Sequence, residues 1–147
     1  MLYVYEFEIV RGEKYLLALP FDFDGGTQGE DEREVSEMAA DWLKAELEHR
    51  LMNNISIPKA ILGHLPREQG RILVVAVEAS LDTIDAVSAA EAADMLGVTR
   101  GRVSQMCKSS LLDWYRKGRD VLVTLDSIHA RLADTPKVGR PKKRIPA

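Results

Sequence analysis

The chain reverses its charge after Asp82, and this break constrains its organisation more than any single motif does. Residues 1–82 hold 8 Lys and Arg against 16 Asp and Glu, whereas residues 83–147 hold 12 against 7. From Val98 onward the counts are 12 and 4. A chain of 147 residues can form one ordinary domain or two small ones. The opposite signs predict two: an acidic domain over residues 1–82, a basic domain over 83–135, and a basic tail over 136–147. A concentrated positive field attracts polyanions and speeds encounter with them.

Composition narrows the class. With 46% hydrophobic residues there is apolar material for a core. The longest apolar run, residues 72–77, falls far short of the roughly 20 residues of a membrane-spanning helix, so no membrane partner is expected. The N-terminus carries Glu6 and Glu8 in its apolar stretch and lacks a basic start, unlike a secretory signal peptide. A cytoplasmic protein is the expectation. Cys107 is the single cysteine, and His49, His64 and His129 show no metal-ligand spacing, which argues against disulfide scaffolds and zinc fingers.

In the acidic half, Tyr3, Tyr5, Phe7 and Ile9 alternate with Val4, Glu6 and Glu8, a period-two pattern that predicts a strand. Arg11, Gly12 and Glu13 turn the chain into a second strand over residues 15–20, and a short third strand is expected at residues 26–28. Asp31 followed by Glu34 has the spacing of a capping box. Behind it Val35, Met38, Ala39, Trp42, Leu43, Leu47 and Leu51 form one stripe of a long helix, with Trp42 as central anchor. Asn53 and Asn54 end it, and after a loop with Pro58, Gly63 and Pro66, residues 71–79 read as a buried strand.

This order resembles the N-terminal domain of HicB-type antitoxins, inhibitor partners in HicAB toxin–antitoxin systems. The residues that carry the resemblance are Leu19, Pro20, Gly26, Thr27, Gln28, Gly29 and Asp31, together with the closing LPREQGRILVVAVEAS. PFDFDGG stands where the family has a proline-aspartate-leucine-proline-glycine-cysteine passage. The resemblance covers residues 1–82 and implies a nuclease-like sheet without working chemistry, binding to a HicA-like RNA-cleaving toxin.

In the basic half, LDTIDAV is linker-like, and VSAAEAADMLGVTRGRVSQMCKSS predicts two short helices with a tight break. Ser88 and Glu91 form a capping box; Ala89, Ala92, Ala93 and Leu96 face inward; Gly97 turns the chain; Val98 is buried. Thr99 caps the second helix, whose inner face is Val103, Met106 and Cys107. Thr99, Arg100, Arg102, Ser104, Gln105 and Lys108 then compose a DNA-reading surface, with Arg100 and Gln105 expected at base edges. A strand with Trp114 and Tyr115, a basic turn at residues 116–119, a strand at 121–125 and a helix capped by Asp126 follow. The segment is similar to the winged helix-turn-helix of excisionase and MerR-like domains over residues 87–133. That likeness places Arg116, Lys117 and Arg119 at the wing, toward phosphate or minor groove. The tail carries Lys137, Arg140, Lys142, Lys143 and Arg144; its Gly139, Arg140 and Pro141 resemble an AT-hook, an extended and disordered arm whose arginine enters a narrow minor groove.

The reading is an α+β chain: a small antiparallel sheet packed on one long helix, followed by a winged helix-turn-helix. The expected function is a DNA-binding antitoxin that masks its toxin and represses its own promoter at an operator, self-associating through the first domain. A stand-alone regulator whose first domain oligomerises or senses a ligand is one alternative. A metal-dependent nuclease built on Asp22, Asp24, Glu30 and Asp31 is the other, although these acids equally suit a turn and a helix N-terminus. No catalytic residue, metal or cofactor is assigned.

Overall fold

Alternation along the first ten residues of sheet places one set of side chains on each face, and what covers each face decides the first half of the molecule. The computed structural model describes residues 1–134. These divide into two compact units, Met1–Ile84 and the residues from Asp85 onward. Both combine α-helices with antiparallel sheet, so the chain is α+β. No described helix is long and apolar enough to cross a membrane.

The first unit runs β1 (Leu2–Arg11), β2 (Leu16–Pro20), β3 (Thr27–Gly29), α1 (Glu32–Met52) and β4 (Arg71–Glu78), with sheet order β3-β2-β1-β4. Tyr5, Phe7 and Ile9 of β1, Leu16 and Ala18 of β2 and Val75 and Val77 of β4 form one core with α1. The helix contributes Val35, Ala39, Leu43 and Leu47, spaced by four so that they share one face. Met38, expected in that stripe, is exposed. Half-buried Trp42 meets Phe7 and Phe23 edge-on, at centroid distances of 6.0 and 5.9 Å. Asp31 caps α1 by accepting the Glu34 N–H at 2.8 Å, but the Glu34 carboxylate reaches the Glu30 N–H at 2.6 Å rather than that of Asp31. The capping box is therefore displaced by one residue.

Gly29 joins β3 to the helix at a point where no side chain fits. A Cβ there would lie 2.4 Å from the Val35 nitrogen and 2.7 Å from its Cα. Gly29→Ala is expected to force β3 and α1 apart and cost about 1–3 kcal/mol in urea unfolding, as overpacking does.

Two features of this unit go beyond the sequence pattern. Glu6 and Glu8, on the face of β1 opposite the aromatic residues, are both buried. The loop of residues 53–70 turns its backbone donors onto them. Glu6 accepts N–H bonds from Gly63 and His64 at 3.0 and 2.9 Å; Glu8 accepts from Arg67, Glu68 and Gly70, each at 2.8 Å. β4, in turn, is not a buried strand but an edge, with Val75 and Val77 inward and Val74 55% exposed. An apolar run does not distinguish a strand covered on both faces from one covered on a single face.

The second unit runs β5 (Ala86–Ser88), α2 (Ala89–Leu96), α3 (Arg100–Lys108), β6 (Trp114–Lys117), β7 (Asp120–Thr124) and α4 (Leu125–Asp134). Its sheet order is β5-β7-β6. The end of the linker-like stretch is thus a strand, since residues 86–88 pair with β7. Ala92, Ala93, Val103, Met106, Cys107, Leu112, Val123 and Ile128 form the core, against which half-buried Val98 packs. Asp126 does not cap α4. Thr124 does, its hydroxyl accepting the Ser127 N–H at 3.3 Å, which leaves Asp126 in the first turn where its charge favours the helix dipole.

Candidate nucleic-acid interface

Local chemistry marks where α2 and α3 begin and end. Ser88 and Glu91 form a complete capping box on α2. Gly97 ends the helix in the left-handed region (φ 68°), a conformation that costs glycine little. Thr99 restarts the chain as the cap of α3, accepting the Arg102 N–H at 3.0 Å. With Val103, Met106 and Cys107 turned inward, Arg100, Arg102, Ser104, Gln105 and Lys108 are all exposed.

The hairpin β6–β7 turns through Gly118 and Arg119, with Lys117 opposite Asp120. Tyr115 is buried while Trp114, Arg116, Lys117 and Arg119 are exposed. A groove of about 880 Å³ runs between α3 and this hairpin, lined by Arg100, Ser104, Lys108, Trp114, Arg116 and Arg119, among others, and by the first turn of α2. Five of the residues expected from sequence therefore line one concavity. Arg102, Gln105 and Lys117 do not line it. Arg100 and Gln105, expected on one surface, are five positions apart, about 140° around a helix. Only Arg100 lies in the groove. Thr99 serves as the cap. Lys137, Arg140, Lys142, Lys143 and Arg144 lie outside the described residues.

Sequence reasoning left out Trp114 as a groove residue, although an aromatic residue next to the buried Tyr115 had to take the opposite face of β6. In the first unit Arg33, Lys44, Arg50 and Arg71 are ion-paired, whereas Arg11, Lys14, Lys59 and Arg67 have no ion pair among the described residues. Arg100, Arg102, Lys108, Arg116 and Arg119 have no ion pair among the described residues. Unneutralised cations around one groove are suited to an anionic polymer. Burial pushes the Cys107 thiol up, away from the thiolate form.

The acids proposed for metal chemistry do not converge. The Asp31 carboxylate is engaged as the cap of α1, Asp22 and Asp24 border a shallow depression with Arg50, and no group of three potential ligands that includes Glu30 or any other acid occurs among the described residues. His64, left without a mate by the sequence, has its Nδ1 2.7 Å from Glu6 and stacks on Phe21 at 4.1 Å. Arg67 lies over the same Phe21 ring at 4.4 Å. This cluster locks the loop onto the sheet. No family model, curated protein or solved structure matches the chain.

Proposed function

We propose that the second unit is a winged helix-turn-helix that binds double-stranded DNA, with α3 in the major groove and the β6–β7 hairpin as the wing. The observation that carries this reading is the joint placement of Arg100, Lys108, Arg116 and Arg119 around one groove, without ion pairs of their own. Gln105, on the outward side of α3, is suited to base edges; the groove cations are suited to phosphate.

We further propose that the first unit is a HicB-like domain and the whole chain a DNA-binding antitoxin, masking a HicA-like toxin and repressing its own promoter. The strand, strand, short strand, helix, strand order and the steric need for Gly29 in the T-x-G passage support this reading. The test has two arms. Titration of the purified chain against its own upstream DNA and against random duplex should give tighter binding to the former by about 10³-fold or more at physiological salt. Coexpression with the product of the adjacent gene should yield a complex that suppresses RNA cleavage. Equal affinity for both duplexes refutes the regulator; a neighbour that neither binds nor cleaves RNA refutes the antitoxin.

A further inference from the structure

The hydrogen-bond phase of β4 leaves a defined set of backbone groups without a strand. Ala79 N–H donates to the Met1 carbonyl at 3.1 Å, and Phe21 N–H donates to the Glu6 carbonyl at 3.3 Å. Odd-numbered residues of β1 therefore bond toward β4 and even-numbered ones toward β2, since both backbone groups of a strand residue point to the same side. By the pairing of Tyr3 with Val77, Tyr5 with Val75 and Phe7 with Leu73, the odd residues of β4 are consumed by β1. Ile72, Val74, Ala76 and Glu78 point their N–H and C=O groups away from the sheet, and no strand pairs with them among the described residues.

Edge strands are ordinarily blunted by shortness, lysine, proline or a bulge. β3, at the opposite edge, is 3 residues long. β4 is 8 residues long, without proline or lysine, apolar between Arg71 and Glu78, and its outward face exposes Val74 and Ala76. Such an edge can take a further strand, and a second β4 offers one whose free backbone groups repeat in the same phase. Arg71 and Glu78 are already paired within each copy, to Glu32 and to the Met1 amino group, so charge only favours one direction of pairing. A second β4 running antiparallel keeps like charges at opposite ends, whereas a parallel copy sets Arg71 beside Arg71 and Glu78 beside Glu78. A two-fold axis normal to the sheet preserves its faces, so facing residues must share parity. Symmetry about Val75 then sets Ile72 against Glu78 of the second copy and Val74 against Ala76 of the second copy, satisfying every free group of both strands.

We propose that β4 is a homodimer interface, pairing antiparallel with β4 of a second copy in register about Val75 and joining two four-stranded sheets into one. This goes beyond DNA binding and does not depend on it. Sedimentation equilibrium of the full chain, without DNA, at about 1 to 50 µM should give twice the chain mass. Ala76→Pro removes an N–H that only the dimer uses, a change edge strands tolerate, and Val74→Lys places a charge on the outward face. Both should be monomeric with unchanged circular dichroism. In a Cys107→Ala background, Val75→Cys should cross-link to itself under mild oxidation, because directly opposed Cα atoms lie about 4.5 Å apart in a non-hydrogen-bonded pair. Leu73→Cys should not. A wild-type monomer across the range, or a dimer that survives both substitutions, overturns the proposal. Cross-linking at Leu73→Cys instead of Val75→Cys overturns its register.

Discussion

On the proposed DNA-binding reading, a chain carrying Arg100→Ala, Arg116→Ala and Arg119→Ala together should bind its own upstream DNA far more weakly, with a visibly flatter salt dependence. Each phosphate contact removed should lower the slope of log affinity against log salt by about 0.9. Each lost charge-assisted hydrogen bond should cost roughly ten- to a hundredfold in affinity. The three side chains are exposed and unpaired among the described residues, so their removal should leave the melting temperature unchanged. Arg11→Ala, Lys14→Ala and Lys59→Ala together, three exposed cations of the acidic first unit, serve as the charge-matched control and should leave the slope as it was. Gln105→Ala separates reading from attraction. It should reduce discrimination between the upstream DNA and random DNA by about 1–3 kcal/mol with the salt slope unchanged. A triple variant with the wild-type slope would remove the groove from the DNA interface.

The elements on which this interface rests were legible because their chemistry is local. Ser88 with Glu91, Gly97 and Thr99 mark two helix starts and a turn within a dozen residues, and the inward triplet Val103, Met106 and Cys107 fixes which side of α3 stays outside. What was not legible depends on partners distant in sequence. Glu6 and Glu8 alternate with aromatic residues as a solvent-facing set would, and only the return of residues 63–70 supplies the donors that bury them. The apolar stretch 72–77 carries no mark of edge position, which follows from β1 already having β2 on its other side. Thr124 and Asp126 are both competent helix caps two residues apart, and the pairing of β7 with β6 and β5 decides between them. The groove arises in the same way, since the basic residues could be named from the sequence but their gathering with Trp114 requires the hairpin to fold back toward α3.

Glu8→Ala should be among the most damaging single substitutions in the first unit. Glu8 is 1% exposed, and its carboxylate is the acceptor for the N–H groups of Arg67, Glu68 and Gly70. Truncation leaves three donors facing an apolar methyl group, and buried donors without acceptors are costly. The melting temperature should fall by roughly 10 °C or more, against little change for exposed Glu13→Ala. Trypsin should then cut sooner at Lys59 and Arg67, because the loop that carries them loses its anchor. Acid should act on the same contact. For Glu8, burial raises the carboxyl pKa, but the donors of Arg67, Gly70 and Glu68 and the Arg67 charge outweigh it, and the group is held below its ordinary value. Glu6 is held low mainly by the Gly63 and His64 donors. A carboxyl with a lower pKa folded than unfolded stabilises the fold above the ordinary carboxylate range of about 4.3. That contribution is lost as pH falls through the lowered values. Stability of the wild type should therefore decline below about pH 4.3, while Glu8→Gln, which keeps one acceptor oxygen but cannot ionise, should start lower and decline less steeply. Parallel acid profiles for the two proteins would show that the loop is not held by the charge on Glu8.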